Sequence, residues 1–223
     1  MIEKESLKFL GDLAKNNNRD WFLENKKRYE AYKKNYLEVI EGILKYLVPK
    51  DESLAQVDAK KCMFRINRDI RFSKDKSPYK THMGIWIMAG QKHEWNPGYY
   101  VHIEKGKSFI AAGIWQPVPE TLKKIRKEIE FFHEDLEAIL NEKKFKAEFG
   151  PLSTEDSLKT TPKGFEKDHP ASEHLKLKSF IARQSLPDAV FDDKNFEKTI
   201  ADKLSAAKPL NDFLSRSLSN PED

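Results

Sequence analysis

The sequence predicts an α+β fold, with an antiparallel sheet of about four to six strands packed with N-terminal, middle and C-terminal helices. Three observations predict it. Apolar residues keep helical spacing over roughly the first fifty positions. Between residues 84 and 115 the period changes to short, glycine-bounded runs rich in aromatic and β-branched residues. From 119 onward the helical spacing returns.

Taken in order, Leu7, Leu10, Leu13 and Ala14 share one face of a first helix. NNNRD interrupts, and Asn18 is suited to cap a segment starting near Asp20. From Trp21 to Val48 an apolar stripe runs through Tyr29, Tyr32, Tyr36, Val39, Ile40, Ile43, Leu44 and Leu47, and Pro49 ends it. The stretch from Met63 to Ile66 is short and β-compatible. GIWIMAG (84–90), GYYVHIE (98–104) and SFIAAGIW (108–115) have strand length and strand composition. Lys105-Gly106-Lys107 is too short for a parallel crossover, so the last two runs pair as an antiparallel hairpin. Leu122, Ile125, Ile129, Phe132, Leu136 and Ile139 then mark a helix over about 119–142. Pro151, Pro162, Gly164 and Pro170 predict ordered loop over 150–172. A short helix near His174, a strand over 179–185 and a helix over about 195–218 complete the series. With no internal repeat or linker, the expectation is one domain spanning 1–223. It has a helical part over 1–50, a sheet-forming core over about 60–116 and 177–186, and the later helices.

The composition excludes several classes. One cysteine, Cys62, forbids an intramolecular disulfide and suits a reducing compartment. MIEKESLKFLGDLAK lacks the apolar run of a signal peptide, and no apolar run approaches the roughly 20 residues that span a bilayer. The expected protein is soluble and cytoplasmic, with no membrane partner. Net charge is +4, but Lys60, Lys61, Arg65, Arg68, Arg71, Lys74, Lys76 and Lys80 face only Asp69 and Asp75 within 60–80. Eight minus two is +6, which leaves −2 for the rest of the chain. The basicity is local, whereas a general nucleic-acid binder spreads it over a face.

That segment holds FRINRDIRFSKDKSPYK. Read as a strand, Phe64, Ile66, Arg68, Ile70 and Phe72 share a face on which Arg68 is the one charge. An unpaired buried charge costs several kcal/mol, so three resolutions stand open: a break near Asn67, an acidic partner such as Asp69, or a ligand anion. The planar fork of arginine suits either kind of partner. SKDK has turn composition, and Ser77-Pro78 has the pattern of a helix start. One outcome is a structural ion-pair lattice. Another is a small-anion site formed by Arg65, Arg68, Asp69, Arg71, Asp75, Lys76 and Tyr79. A third is a contact surface for nucleic acid or protein, with Phe72 and Tyr79 as stacking surfaces for single strands.

Elsewhere, Tyr100, His102 and Glu104 fall on one face of a strand, which makes His102 the candidate acid–base residue or a simple partner of Glu104. Ala111-Ala112-Gly113 leaves little side-chain volume, for a ligand or for close packing. In the 150–172 loop, Lys163, Asp168 and His169 offer either a flap over a site or turn anchors, and His169 is carried as a ligand candidate. Trp86 and Trp115 belong to strand candidates, while Trp95 sits in the loop KHEWNPG and is a candidate lid or contact residue. Six histidines include no HExxH, and GxSxG, GxGxxG and GxxxxGK[ST] are absent. The expectation is no metal and no cofactor, and the sequence assigns no reaction.

The run Arg65-x-x-Arg68-Asp69-x-Arg71-Phe72, followed by Asp75-Lys76-x-x-Tyr79, resembles the signature of the bacterial family called domain of unknown function 2461. Tyr100-x-His102, Gly113-x-Trp115 and Pro162-Lys163-Gly164-Phe165-x-x-Asp168-His169-Pro170 extend the resemblance from about Leu7 to the last helix. The central motif fixes eight residue types in fifteen positions. The resemblance implies that 65–79 act as one unit, and it lends neither reaction nor cofactor.

Overall fold

The computed structural model describes residues 1–90 and 96–219. Four strands form one antiparallel sheet in the order β1-β2-β3-β4: Met83–Met88, Gly98–Ile103, Phe109–Ile114 and Phe180–Ser185. The α+β class holds, with the strand number at the low end of the expected range. In the β2–β3 turn, Gly106 has φ +76°, and its amide donates to Asp188 over 2.7 Å. Short outside partners also reach the two outer strands. Met63 bridges to Ile85 in β1, and the amide of Ser153 donates to the carbonyl of Ile181 in β4 over 2.8 Å.

The chain divides into two compact units. The first comprises Met1–Ile87, Tyr100–Ile110 and Ser185–Asp202. Here α1 (Lys4–Lys15) packs on α3 (Lys26–Leu47) through an apolar face that buries Phe9, Leu10 and Leu13 on one side and Tyr36, Ile40 and Ile43 on the other. The predicted long helix from Asp20 is two helices, α2 (Arg19–Glu24) and α3. Asn18 does cap the first, accepting from the Trp21 amide over 3.0 Å. Asn25 breaks the segment, because its side-chain amide donates to the Trp21 carbonyl over 2.9 Å and competes with the helix backbone. The Tyr36 hydroxyl donates to the carbonyl of Gly84 in β1. A side chain at Gly84 would meet the Tyr100 hydroxyl at 2.9 Å and the Phe64 ring at 3.3 Å.

The second unit is built from the described residues of Met88–Tyr99, Ala111–Gln184 and Lys203–Asp223. The middle helix breaks at Phe132 into α5 (Pro119–Phe131) and α6 (His133–Asn141), which share α10 (Lys208–Ser219) as a packing partner. Arg216 of α10 bonds Glu128 over 2.5 Å and Asp135 over 2.9 Å, which satisfies the buried Glu128. The last predicted helix is likewise divided into α9 (Phe196–Leu204), all but its last two residues in the first unit, and α10, with a tight turn over Ser205–Ala207 between them in sequence. Pro209 falls in the first turn of α10, where its missing amide is tolerated. Trp115, assigned by the sequence to the strand, falls one residue past the end of β3 and is 54% exposed.

Gly113 explains the small residues of β3. It has φ +116°, and a Cβ there would lie 1.9 Å from the carbonyl oxygen of Phe180 in β4. At Gly113 the tight neighbour is the backbone of β4. Both backbone conformation and space therefore oppose a side chain. Gly113→Ala should lower stability by about 3 kcal/mol, read as a reduced urea midpoint. A midpoint equal to wild type would show that β3 and β4 separate there without cost.

Candidate functional site

All of 60–80 belongs to the first unit, and its shape follows from backbone pairing. The Arg68 amide donates to the Pro78 carbonyl over 2.9 Å, and the Lys80 amide donates to Ile66 over 2.7 Å. With an Asn67–Tyr79 bridge between them, these bonds close 69–77 into a loop. The two-faced strand therefore ends near Asn67: Ile66 is buried, while Phe64 is 43% and Phe72 96% exposed. Ser77-Pro78 starts no helix, because the chain pairs with 66–68 there.

Inside the loop the charges pair among themselves. Arg68 binds Asp75, and it also reaches the Ser77 carbonyl at 3.3 Å and the Ser73 hydroxyl at 3.4 Å. Asp75 accepts from the Ser77 hydroxyl at 2.6 Å and the Ser77 amide at 2.9 Å. Those two bonds, and then Arg68, hold the Asp75 carboxyl down at about 2. Arg71 grips Asp69 with two bonds of 3.0 and 2.6 Å. Lys76 donates to the Ile70 carbonyl over 2.9 Å. Tyr79 is buried, stacked on Phe22 at 4.1 Å between ring centroids, with its backbone held by Asn17 through bonds of 3.0 and 2.9 Å. The predicted pairing of arginines with Asp69 and Asp75 is thus present.

Arg65 makes no ion pair within bonding distance among the described residues, although its charge adds to the lowering of the Asp69 carboxyl by Arg71. It lines a cleft of about 10 Å³, room for one water-sized sphere, together with Lys33, Lys80 and His82. Tyr29, Tyr32, Tyr36, Phe64 and Gly84 complete its wall with Met63 and Ile66, and no carboxylate lines it. Lys80 donates to the Arg65 carbonyl over 2.8 Å and sits 5.2 Å from the centre of the Phe64 ring. Burial, and then the positive charge of Arg65, push the Lys80 ammonium below its ordinary value. The sequence pointed to Arg65 but passed over Lys33 and Lys80 as site residues. The available signal was Lys33 beside Tyr29, Tyr32 and Tyr36 at helical spacing, with Lys80 opposite Ile66 in the closed loop.

The candidate base His102 lies on β2 as expected, on the half-exposed face opposite the buried Tyr99, Val101 and Ile103. One ring nitrogen contacts the Tyr100 hydroxyl at 3.1 Å and the other contacts Glu104 at 3.2 Å. His82, just before β1, brings its ring centroid to 4.3 Å from that of His102. Burial, and then His102, push His82 down to about 4, so it is neutral at pH 7. Among the described residues, His82, His102 and Glu104 form a group able to hold a metal ion, each offering one ligand atom with all of these within 4.8 Å of one another.

His169 belongs to the second unit. One of its ring nitrogens accepts from the Ala171 amide over 3.0 Å, and the other lies 3.1 Å from the Glu130 carbonyl. These bonds are of the anchoring kind, one of the two alternatives left open for that loop. The same unit contains a larger cavity of about 610 Å³ lined by Glu137, His174, Glu173 and Lys176 among others. Its charges pair as His174–Glu137 and Lys176–Glu173. Trp95 and His93 lie outside the described residues.

The Asp75 lattice predicts an acid dependence. A carboxyl lowered in the folded chain stabilises it above the ordinary value of 3.8, and that contribution disappears as pH falls to about 2. Asp75→Asn should therefore melt earlier than wild type at neutral pH, with the gap closing across that acid window. A gap independent of pH in matched melts would exclude the carboxylate as the linked group.

The model of the family described as "Conserved hypothetical protein (DUF2461)" matches residues 5–213. No curated protein and no solved structure matches the chain.

Proposed function

The chain belongs to the DUF2461 family, whose description carries no activity, and we propose from the site alone that it binds a small anionic ligand, phosphorylated or carboxylated, against the rim of the cleft of the first unit. The cleft itself has room for no more than a water-sized group. The observation that supports this most is the gathering of Lys33, Arg65, Lys80 and His82 around one cleft without a carboxylate. Like charges repel, and folding brings two of them close enough for Arg65 to depress Lys80. An anion would relieve that repulsion. Arg65 supplies the bidentate fork, Lys80 and Lys33 supply point charge, and the tyrosines form an aromatic edge. Arg68, Asp69, Arg71, Asp75, Lys76 and Tyr79 serve as the frame that presents Arg65 and Lys80. The proposal is of binding, with no reaction attached.

A second reading is favoured by Phe72, which is 96% exposed and lies 5.9 Å from the Arg71 guanidinium. A solvated aromatic beside a cation is a stacking surface for single-stranded nucleic acid.

Thermal shift with inorganic phosphate, sugar phosphates, polycarboxylates and a short oligonucleotide separates the two. A ligand at a hundred times its Kd stabilises the fold by about 2.7 kcal/mol. The expected result is a saturable shift with small anions that Arg65→Ala weakens at least about 10-fold, whereas Arg68→Ala lowers intrinsic stability by about 2 kcal/mol and keeps the shift. An oligonucleotide response lost in Phe72→Ala would favour the second reading, and the absence of any shift would overturn both. We also propose that residues 1–223 are one domain, for which the same melts should show a single transition. Two resolved transitions would contradict it.

A further inference from the structure

We propose that His82, His102 and Glu104 form a binding site for a divalent transition-metal ion of the zinc type. The three residues come from two adjacent strands: His82 immediately before β1, His102 within β2 and Glu104 just past its end. Their ligand atoms already lie within 4.8 Å of one another. A tetrahedral ion with bonds of about 2.1 Å needs its donors roughly 3.4 Å apart, and the His102–Glu104 separation is 3.2 Å. The closing movement falls on His82.

The hydrogen bonding around the three residues supports the same assignment. His102 has both nitrogens engaged, by Tyr100 and by Glu104. His82 is half-buried, with no hydrogen bond to either ring nitrogen among the described residues, although its ring lies against that of His102. A ring with no protein hydrogen bond, set beside a second imidazole and a carboxylate, is free to give a nitrogen to a metal ion. A purely structural His102–Glu104 pair has no use for this third group. Two imidazoles and one carboxylate are the donor set of open zinc sites, which keep further positions for water or substrate.

With the Glu104-side nitrogen of His102 on the metal, its other nitrogen carries the proton and donates to the Tyr100 oxygen. Tyr100 is thus a positioning residue that sets the tautomer. HExxH places its histidines four apart on a helix, whereas His82 and His102 are separated by a whole strand and a loop. That separation accounts for the sequence expectation of no metal.

The proposal is independent of the anion reading, although His82 borders the cleft. Purified metal-stripped protein would be titrated with Co²⁺, followed by visible absorption, and with Zn²⁺, followed by melting temperature. One equivalent of Co²⁺ should give the ligand-field bands of a four- or five-coordinate ion, and Zn²⁺ should raise the melting temperature. Glu104→Gln, close to isosteric, and His82→Gln should each weaken binding by more than 100-fold. Tyr100→Phe should weaken it about 10-fold, within the range for outer-shell partners. Arg65→Ala should bind metal as wild type does, even where it no longer responds to phosphate. Wild type that gives no bands and no shift would overturn the proposal, as would equal binding by wild type, Glu104→Gln and His82→Gln.

Discussion

The site depends on three backbone positions, 66 to 68, pairing with 78 to 80. This pairing sets Lys80 near Arg65, and the lysine is depressed by its burial and then by the charge of Arg65. Side-chain electrostatics alone would drive the two apart. The pairing is held from both ends. On one side Phe22 stacks on Tyr79 and Asn17 ties down its backbone. On the other, Asp75 gathers Ser77 and Arg68 into a closed knot. The arginines and aspartates of the motif therefore fall into two groups with different work. Arg68–Asp75 and Arg71–Asp69 neutralise each other within the loop, and Arg65 is left to face the cleft.

Much of the fold was legible because its signals are local. Glycine-bounded, β-branched runs and a three-residue link specify the β2–β3 hairpin, and strict alternation along GYYVHIE correctly separated Tyr100, His102 and Glu104 from the buried Tyr99, Val101 and Ile103. The helix count was less legible, since periodicity continues across breaks made by single side chains or backbone turns. Asn25 adds a side-chain bond to the Trp21 carbonyl that its own amide already uses, Phe132 leaves helical geometry, and Pro209 begins a new helix instead of ending one. Alternation misled in the basic stretch for a related reason: Phe64 to Phe72 reads as one strand, yet only a short part of it has a partner.

The site was half legible. A run of cations and aspartates marks the motif, but Asp69, the acidic neighbour of Arg68, pairs with Arg71, and Arg68 reaches Asp75 instead. Which cation stays unpaired does not follow, because the helix α3 supplies Lys33 and the returning chain supplies Lys80. His82 is the clearest case. Nothing within several residues of it in the sequence hints at a role, and its significance comes from strand pairing that places it against His102. His169, by contrast, is accounted for by short-range bonds to Ala171 and Glu130.

The short partners of the outer strands have a consequence for how the molecule behaves among its own copies. An open sheet edge offers a row of amides and carbonyls to any passing extended chain, and growth by strand addition is the usual route to fibrils and swapped assemblies. Here Met63 meets β1 at Ile85, and Ser153 meets β4 at Ile181. One contact falls within β1 and the other near the start of β4, so a chain adding along either edge would meet a native segment there. Two loop residues thus occupy part of each edge that strand addition would need.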